Sequence, residues 1–367
     1  MEKYIGIMSG TSLDGVDTAL VETDGSKINL LAHDFFPYPA DLKQDVLNVC
    51  LGQATTLKAV GELDHRLGHL FADAVNQLVA KHELSKADIT AIGSHGQTVF
   101  HAPDSPFPFT MQLGDANIIA AKTGINTVAD FRRKDMAFGG QGAPLVPAFH
   151  KALFDHLENN IVILNIGGIS NISIVRGEQT AGFDTGPGNM LMDAWVQKHF
   201  NQTYDKDAAI ALSGSVNNDL LAELLKEPYL DLPAPKSTGR ELFNLPWLEK
   251  KLAGFKISPQ DVLTTLAEYT AQTICKDVNA LTLSNKTNEL LVCGGGASNP
   301  YLMERLAQLL PNWEIGNTLK YGIDADYMEA MAFAWLAHQT VHNTPSNLPA
   351  VTGASQLTVL GGLYFSQ

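Results

Sequence analysis

Three glycine-rich turns contain the residue types that phosphate-handling chemistry requires. They lie at residues 4–17, 163–173 and 289–298, where an apolar run breaks into glycines and small hydroxyl or amide residues. Such residues let backbone N–H groups approach phosphate oxygens closely. One turn is weak evidence, because Asp-Gly pairs such as Asp14-Gly15 also form ordinary hairpins. Three in order predict a nucleotide held between two domains.

A possible catalytic carboxylate lies in a fourth glycine-rich run, Gly-Phe-Asp-Thr-Gly-Pro-Gly-Asn at residues 182–189. Residues 190–200 follow with helical spacing, so Asp184 is expected at a strand end just before a helix N-terminus. An ionised carboxylate is stabilised there. The alternative is that Asp184 only caps this helix. Glu329 precedes an apolar helix at 330–336. The alternative to a functional role is that Glu329 is an ordinary exposed glutamate at the start of that helix.

The elements around these motifs alternate between strands and helices, which is typical of an α/β protein. The pattern predicts a β-meander at 4–33, helices at 57–81, 190–200 and 259–281, and a strand at 89–93. A polar, glycine-rich segment at 130–144 is the predicted domain crossing. Domain I is therefore expected at 1–130 and domain II at 131–344. Residues 345–367 contain a strand-like run that permits a return to domain I.

Length and composition exclude several classes of protein. A chain of 367 residues exceeds the ~250–300 at which single cores usually split. The net charge of −14 argues against nucleic-acid binding. No apolar run approaches the ~18 residues of a membrane span, and the N-terminus lacks a signal-peptide pattern. Three widely spaced cysteines fit a reducing cytoplasm. The sequence also lacks the Gly-x-x-x-x-Gly-Lys-Ser/Thr motif of P-loop enzymes.

Taken together, the motifs resemble those of the anhydro-N-acetylmuramic acid kinase family nearly end to end. The resemblance rests on Ser-Gly-Thr-Ser-Leu-Asp-Gly-Val-Asp at 9–17, Gly-Ser-His-Gly-Gln-Thr at 93–98, Ala-Asp-Phe-Arg-Arg-Lys-Asp at 129–135, Gly-Gly-Gln-Gly-Ala-Pro-Leu-Val-Pro at 139–147, Asn-Ile-Gly-Gly-Ile-Ser-Asn at 165–171, Phe-Asp-Thr-Gly-Pro-Gly-Asn at 183–189, Gly-Gly-Gly-Ala at 294–297 and Glu-Ala-Met-Ala-Phe-Ala-Trp at 329–335. Leu13 and Val16 stand where many members have methionine and isoleucine.

The resemblance implies the two-domain, ribonuclease H-like fold of actin, hexokinase and Hsp70, with ATP in an interdomain cleft. It implies Mg²⁺ and a reaction in which ATP, water and 1,6-anhydro-N-acetylmuramic acid give N-acetylmuramic acid 6-phosphate and ADP. Family members serve peptidoglycan recycling and amino sugar metabolism in the bacterial cytoplasm, and they are usually homodimers. No nucleic-acid or membrane partner is expected.

The resemblance also assigns roles to particular residues. It implies that Asp184 is the general base. It places ATP against Gly10, Thr11, Ser12, Leu13, Asp14, Gly15, Val16, Asp17, Gly167, Gly168, Asn171, Gly294, Gly295 and Gly296. Glu329 becomes a sugar-hydroxyl acceptor, and His95 a candidate to line the sugar pocket. Arg132 is a candidate for the lactyl carboxylate, because a guanidinium fork matches a carboxylate. Its neighbours Arg133 and Lys134 remain alternatives.

No protein metal site is predicted. His95 and His101 are six residues apart, which does not suit the i, i+4 spacing of helical zinc ligands, so Mg²⁺ is expected to arrive with ATP. Two other readings remain: a different sugar or acid kinase of the same fold, and a non-catalytic, ATP-regulated binding module. Comparing phosphate transfer to the anhydro sugar and to free N-acetylmuramic acid would distinguish the first alternative from the expected kinase. Turnover that depends on a sugar would exclude the second alternative.

Overall fold

The structure is a computed structural model that describes residues 1–10, 13–175, 180–284 and 286–367. Thr11 and Ser12, both predicted ATP contacts, lie outside the described residues. The chain forms two compact units, Met1–Leu153 with Tyr327–Gln367, and Phe154–Asp326. This division differs from the boundaries expected at 130/131 and 344/345, because residues 131–153 and the helix after Tyr327 pack with the first unit.

The strands are numbered in chain order: β1 (Glu2–Met8), β2 (Gly15–Thr23), β3 (Ile28–Pro37), β4 (Ile89–Ser94), β5 (Gln97–Ala102), β6 (Phe109–Leu113), β7 (Thr127–Ala129), β8 (Asn160–Ile166), β9 (Ile169–Val175), β10 (Ala181–Pro187), β11 (Asn288–Cys293), β12 (Trp313–Asn317) and β13 (Gly362–Tyr364).

The α-helices are α1 (Ala40–Cys50), α2 (Leu57–Lys81), α3 (Ala116–Thr123), α4 (Arg133–Ala137), α5 (Val146–Phe154), α6 (Met190–Phe200), α7 (Asn218–Leu224), α8 (Leu245–Lys251), α9 (Pro259–Asn279), α10 (Pro300–Leu309), α11 (Met328–Val341) and α12 (Pro349–Thr352).

The two units repeat one sheet topology. In the first, β3, β2 and β1 form an antiparallel meander, and β4 and β7 continue the sheet parallel to β1. The C-terminal strand β13 adds to its edge, antiparallel to β7. In the second, β10, β9 and β8 form the meander, and β11 and β12 continue it parallel to β8. When the strands of each sheet are numbered from one within their own unit, both sheets have the order 3-2-1-4-5. This order confirms the expected ribonuclease H-like α/β class.

Local sequence signals account for most of these elements. The predicted helix at 57–81 coincides with α2, whose leucines pack into the first core. Ser258 caps α9 by accepting a hydrogen bond from the Asp261 N–H, and Asn299 caps α10 in the same way. The glycines at 294–296 lead into a 3-10 turn, Gly295–Ser298, rather than directly into a helix. Within the described residues, no helix is long and apolar enough to cross a bilayer.

Candidate active site

Close packing positions Glu329 in the first unit. Helix α11 crosses β1 and β4 where both strands carry glycine. A Cβ atom on Gly6 would lie 1.7 Å from the Ala330 carbonyl oxygen, and one on Gly93 would lie 2.0 Å from that of Phe333. Only glycine therefore permits this contact. Glu329 lies in the first turn of the helix as a result, and its side chain is mostly buried.

His95, Arg132 and Glu329 come together in the first unit, although they are far apart in sequence. Arg132 donates from Nε and Nη2 to Nε2 of His95, at 3.2 and 2.9 Å, and from Nη1 to the Gly142 carbonyl oxygen at 2.8 Å. Because Nε2 of His95 accepts, its proton is assigned to Nδ1. That atom is buried and has no hydrogen-bond partner within the described residues. The backbone of Gly96 and Ser9 also approaches the ring and opposes part of the lowering of its pKa.

Burial and neighbouring charges shift the pKa values of all three side chains in this cluster. Burial, assisted by the nearby Arg132 charge, holds the pKa of His95 well below its usual value, so the ring is neutral. Burial lowers the pKa of Arg132 to about 10, against the opposing effect of Glu329. Burial also raises the pKa of Glu329, while Arg132 favours its ionised form. The result is a cation, a neutral donor and an acceptor that suit a polar sugar acid.

The other basic residues near Arg132 have different surroundings. Arg133 forms an ion pair with Asp130 at 2.6 Å, and Lys134 lies 5.9 Å from the Phe138 ring centroid. Neither contact involves His95 or Glu329. Among the three basic candidates at 132–134, Arg132 is the one that contacts another predicted site residue.

The described residues between β1 and β2, with the start of β2, combine buried apolar side chains with more exposed polar residues. Leu13 has a left-handed φ of 51°, and its side chain is buried, as is that of Val16. The Gly15 N–H contacts Oδ1 of Asp14 at 3.1 Å, and the Tyr38 N–H donates to the Asp14 carbonyl oxygen. Asp14 is exposed, and Gly10 and Asp17 are partly so. Polar atoms of this turn can therefore reach a ligand while its apolar side chains stay in the core.

A buried hydroxyl network behind this turn was not predicted from the sequence. Ser9 donates to Oε1 of Gln97 at 2.5 Å, and Ser9 and Tyr38 hydroxyls lie 2.9 Å apart. The signal was present, because Ser9 and Gln97 belong to two of the quoted motifs. Their contact depends on the parallel pairing of β1 with β4. This pairing places Ser94, and therefore the following His95, beside the end of β1.

In the second unit, the predicted glycine turns meet at one edge of the sheet. Strands β8 and β11 are parallel neighbours and end together, with Asn165 opposite Cys293. Gly167 and Gly168 follow β8, and their carbonyl oxygens accept from the N–H groups of Asn189 and Gly188. Gly294 follows β11 with a φ of 75°, and a Cβ there would lie 2.3 Å from Oδ1 of Asn165. Ligands of α/β sheets bind beyond such carboxyl ends.

Asp184 lies beside this edge, with Asn171 as its cross-strand partner between β9 and β10. Its Oδ2 accepts from the Ser237 hydroxyl at 3.1 Å and from the Thr238 N–H at 3.0 Å. No described residue donates a hydrogen bond to Oδ1. Burial raises the pKa of Asp184, against the hydrogen bonds from Thr238 and Ser237. The carboxylate is thus held at one oxygen and open at the other, as a general base requires.

A buried ion pair supports the loop that holds Asp184. The Lys236 ammonium lies 3.0 Å from Asp277 of α9, and their side chains are only 3% and 13% exposed. The Lys236 carbonyl oxygen accepts from the Asp184 N–H at 3.0 Å. Residues 236–238 therefore connect helix α9 to both the backbone and the carboxylate of Asp184. The sequence does not indicate this pair, because it joins residues 41 positions apart.

Asp193 is a second carboxylate with a shifted pKa, and the sequence motifs did not predict it. It lies in the first turn of α6, and burial raises its pKa to about 6. The only available signal is its place in the Gly-Asn-Met-Leu-Met-Asp run. By pKa alone Asp193 is a competitor of Asp184 for the role of base, so an experiment must distinguish them.

Comparison with known proteins now identifies the family. The family model for anhydro-N-acetylmuramic acid kinase matches residues 2–366. The chain belongs to the anhydro-N-acetylmuramic acid kinase family. Proteins with that name are 63% identical in Vibrio parahaemolyticus, with 99% of this chain and 98% of the relative covered, and 62% identical in Vibrio cholerae, with the same coverage. The relative from Pasteurella multocida is 58% identical, covering 98% and 96%.

Solved structures give a more distant likeness. A ROK hexokinase from Thermus thermophilus is 14% identical, covers 92% of this chain and 99% of its own, and has a TM-score of 0.41. At that TM-score the likeness carries no weight, so the family assignment depends on the anhydro-N-acetylmuramic acid kinase sequences.

Proposed function

We propose that this protein is an ATP-dependent kinase that hydrolytically opens 1,6-anhydro-N-acetylmuramic acid and phosphorylates O6, giving N-acetylmuramic acid 6-phosphate and ADP. Membership of the anhydro-N-acetylmuramic acid kinase family along residues 2–366 is the observation that carries this proposal. The polar cluster of the first unit and the Asp184 carboxylate of the second supply side chains that the reaction needs.

The substrate explains why one enzyme must hydrolyse and phosphorylate. In the anhydro sugar O6 is bonded to C1, so there is no free 6-hydroxyl. We assign Asp184 as the base that takes a proton from water as that water attacks C1, as in an inverting glycosidase. The C1–O6 bond breaks, and O6 bonds to the γ-phosphorus as ADP leaves. Because the phosphoryl group captures O6, no second carboxylic acid is needed to protonate it.

The surroundings of Asp184 suit this role. A base must be ionised yet accept a proton readily, which favours a carboxylate whose pKa is raised above its ordinary value. Burial supplies that rise, and the Ser237 and Thr238 donors keep the carboxylate oriented. Among the described residues the hydrogen bonds reach only Oδ2, and we assign Oδ1 to the attacking water.

The first-unit cluster supports recognition of the sugar. We assign Arg132 to the lactyl carboxylate and Glu329 to a sugar hydroxyl, with His95 lining the sugar pocket. The contacts with His95 and Gly142 fix the guanidinium plane of Arg132. A fixed plane costs less ordering entropy on binding than a flexible ammonium would.

We assign the glycine turns of both units to ATP, with backbone N–H groups as phosphate donors. Mg²⁺ is proposed to bind with ATP, where it neutralises phosphate charge. The carboxylates of Asp14 and Asp17 fit this ion, because Mg²⁺ prefers hard oxygen ligands. We further propose, from the family resemblance, a homodimer in the cytoplasm that serves peptidoglycan recycling.

The test is ADP release coupled to product analysis, with the anhydro sugar, with free N-acetylmuramic acid, and without sugar. Only the anhydro sugar should support turnover, and oxygen from labelled water should appear at C1. Asp184→Asn should bind ATP normally and lose at least about 10²-fold in kcat, whereas Asp193→Asn should retain most activity. Equal turnover with free N-acetylmuramic acid would indicate another sugar kinase, and sugar-independent hydrolysis an ATP-regulated module.

A further inference from the structure

A cluster of three metal-binding side chains lies in the first unit, apart from the residues assigned to catalysis. It consists of Glu2 at the start of β1 and of His338 and His342 at the C-terminal end of α11. One potential ligand atom from each residue lies within 4.8 Å of the other two. His338 and His342 are four positions apart, so they lie on the same side of the helix. Two histidines at that spacing with one carboxylate form a known zinc-binding set.

The surroundings of the cluster fit a metal ion. Nε2 of His342 lies 2.8 Å from Oε2 of Glu2, so an exposed imidazole and an exposed carboxylate are already in contact. His338 is 7% exposed, and its Nδ1 is buried without a hydrogen-bond partner among the residues that the structure describes. The His338 ring is therefore not held by a hydrogen bond at Nδ1.

Neighbouring groups hold the three side chains in place. The buried Tyr4 hydroxyl donates to Oε2 of Glu2, and the Tyr4 ring meets the His338 ring edge-on at 5.4 Å. The His338 and His342 rings lie 4.4 Å apart. Hydrogen bonds from an outer shell to a ligating carboxylate orient metal sites in this way. Tetrahedral Zn²⁺ needs ligand atoms about 3.4 Å apart, so small side-chain rotations suffice.

We propose that Glu2, His338 and His342 form a binding site for a divalent transition metal of the zinc class, with water completing the coordination. Binding replaces the contact between Nε2 of His342 and Glu2, and any proton on that nitrogen moves to Nδ1 or to solvent. The ion would join the first strand to the last long helix, between residues 340 positions apart. This differs from the sequence-based expectation of no protein metal site, which rested on the cysteines and on the spacing of His95 and His101.

The proposed site is distinct from the candidate active site. Glu2 and the glycine turn lie at opposite ends of β1, about 20 Å apart at ~3.3 Å per residue. Glu329 is in the first turn of α11, and His338 lies about 13 Å further along the axis at 1.5 Å per residue. Removal of the exposed ligands should therefore leave the kinase reaction intact.

The test is Zn²⁺ titration of the untagged, EDTA-stripped full chain by calorimetry, with Co²⁺ absorption as a second readout. The wild type should bind one Zn²⁺ per chain at this site. Glu2→Gln and His342→Gln should each weaken binding at least about 10-fold. These exposed positions are chosen because His338→Gln could prevent folding. Thermal melting should show a Zn²⁺-dependent rise in Tm in the wild type and a smaller one in both variants.

His65→Gln is the matched control. His65 is exposed and lies 3.6 Å from the Asp115 carboxylate, so it reproduces one histidine–carboxylate contact without a third ligand. This variant should bind Zn²⁺ like the wild type, and Glu2→Gln should keep normal Mg²⁺-dependent turnover. Absence of stoichiometric Zn²⁺ binding by the wild type, or unchanged affinity in Glu2→Gln and His342→Gln, would overturn the proposal.

Discussion

Replacement of Lys236 by methionine should destabilise the second unit in a pH-dependent way. Methionine keeps much of the side-chain volume but removes the ammonium that lies 3.0 Å from Asp277. The aspartate would then be an unpaired charge in a site where only 13% of its side chain is exposed. Breaking a buried ion pair by removing one partner typically costs about 3–5 kcal/mol.

Protonation of Asp277 limits this cost. Burial raises the pKa of Asp277 even in the wild type, where the Lys236 hydrogen bond and charge oppose it. Without Lys236 the folded-state pKa rises further above the unfolded value of about 3.9. The cost of protonating Asp277 is set by the difference between the pH and its unfolded-state pKa, at 1.36 kcal/mol per unit. It is about 4 kcal/mol at pH 7 and about 1.5 kcal/mol at pH 5. Because the variant can fold with Asp277 protonated, its loss of stability should not exceed about these values. The loss should therefore be larger at pH 7 than at pH 5.

The assay is urea unfolding at pH 5 and pH 7, followed by tryptophan fluorescence, since Trp195 and Trp247 report on the core of the second unit. Lys276→Met is the matched control. Lys276 is also on α9, and its ion pair with Asp231 has exposed side chains, 46% and 78%. It should cost below about 1 kcal/mol with little pH dependence. The double variant Lys236→Met/Asp277→Leu should recover most of the stability.

Activity should fall in Lys236→Met as well, because the Lys236 carbonyl oxygen and the two following residues hold Asp184. Equal destabilisation of the protein by Lys236→Met and Lys276→Met would contradict this expectation, as would a loss of stability in Lys236→Met that is the same at both pH values. Either result would mean that Asp277 does not become an uncompensated buried charge.

Three further outcomes are expected. Arg132→Lys should raise the KM for the sugar at least about 10-fold without changing that for ATP, because an ammonium cannot reproduce the planar fork; equal changes in both would contradict this. Since burial raises the pKa of Asp184, kcat/KM should fall with decreasing pH through a limb above that of an ordinary aspartate, and pH-independent rates would exclude it. Gly294→Ala should destabilise the second unit by about 1–3 kcal/mol in urea unfolding, because of its left-handed φ and the nearby Asn165, whereas Gly316→Ala, with open space around it, should be nearly neutral.

The elements were largely predictable because their signals are local. The helices predicted at 57–81, 190–200 and 259–281 agree with α2, α6 and α9 to within about two residues. The division into units was not, because it depends on where α11 packs. Glycines at positions 6 and 93 let this helix lie on the first sheet, and nothing adjacent to the helix in sequence indicates that contact.

The candidate site divides in the same way. The motifs picked out the carboxylate and the glycine turns, since each is a short run with a recognisable composition. The sequence did not predict the contacts that support Asp184, which come from Ser237, Thr238 and the Lys236–Asp277 pair. It also did not predict the contact of Ser9 with Gln97. These contacts join distant residues whose types are common everywhere in the chain.

By itself the sequence determined the α/β class, most helix and strand positions and the family, because backbone propensity, caps and glycine turns act over a few residues. Tertiary structure alone decided which polar groups became neighbours. It turned Arg132 toward His95, left one oxygen of Asp184 open and brought Glu2 to His338 and His342 at the end of α11. Burial then set their pKa values, since desolvation depends on everything packed around a group and not on its sequence neighbours.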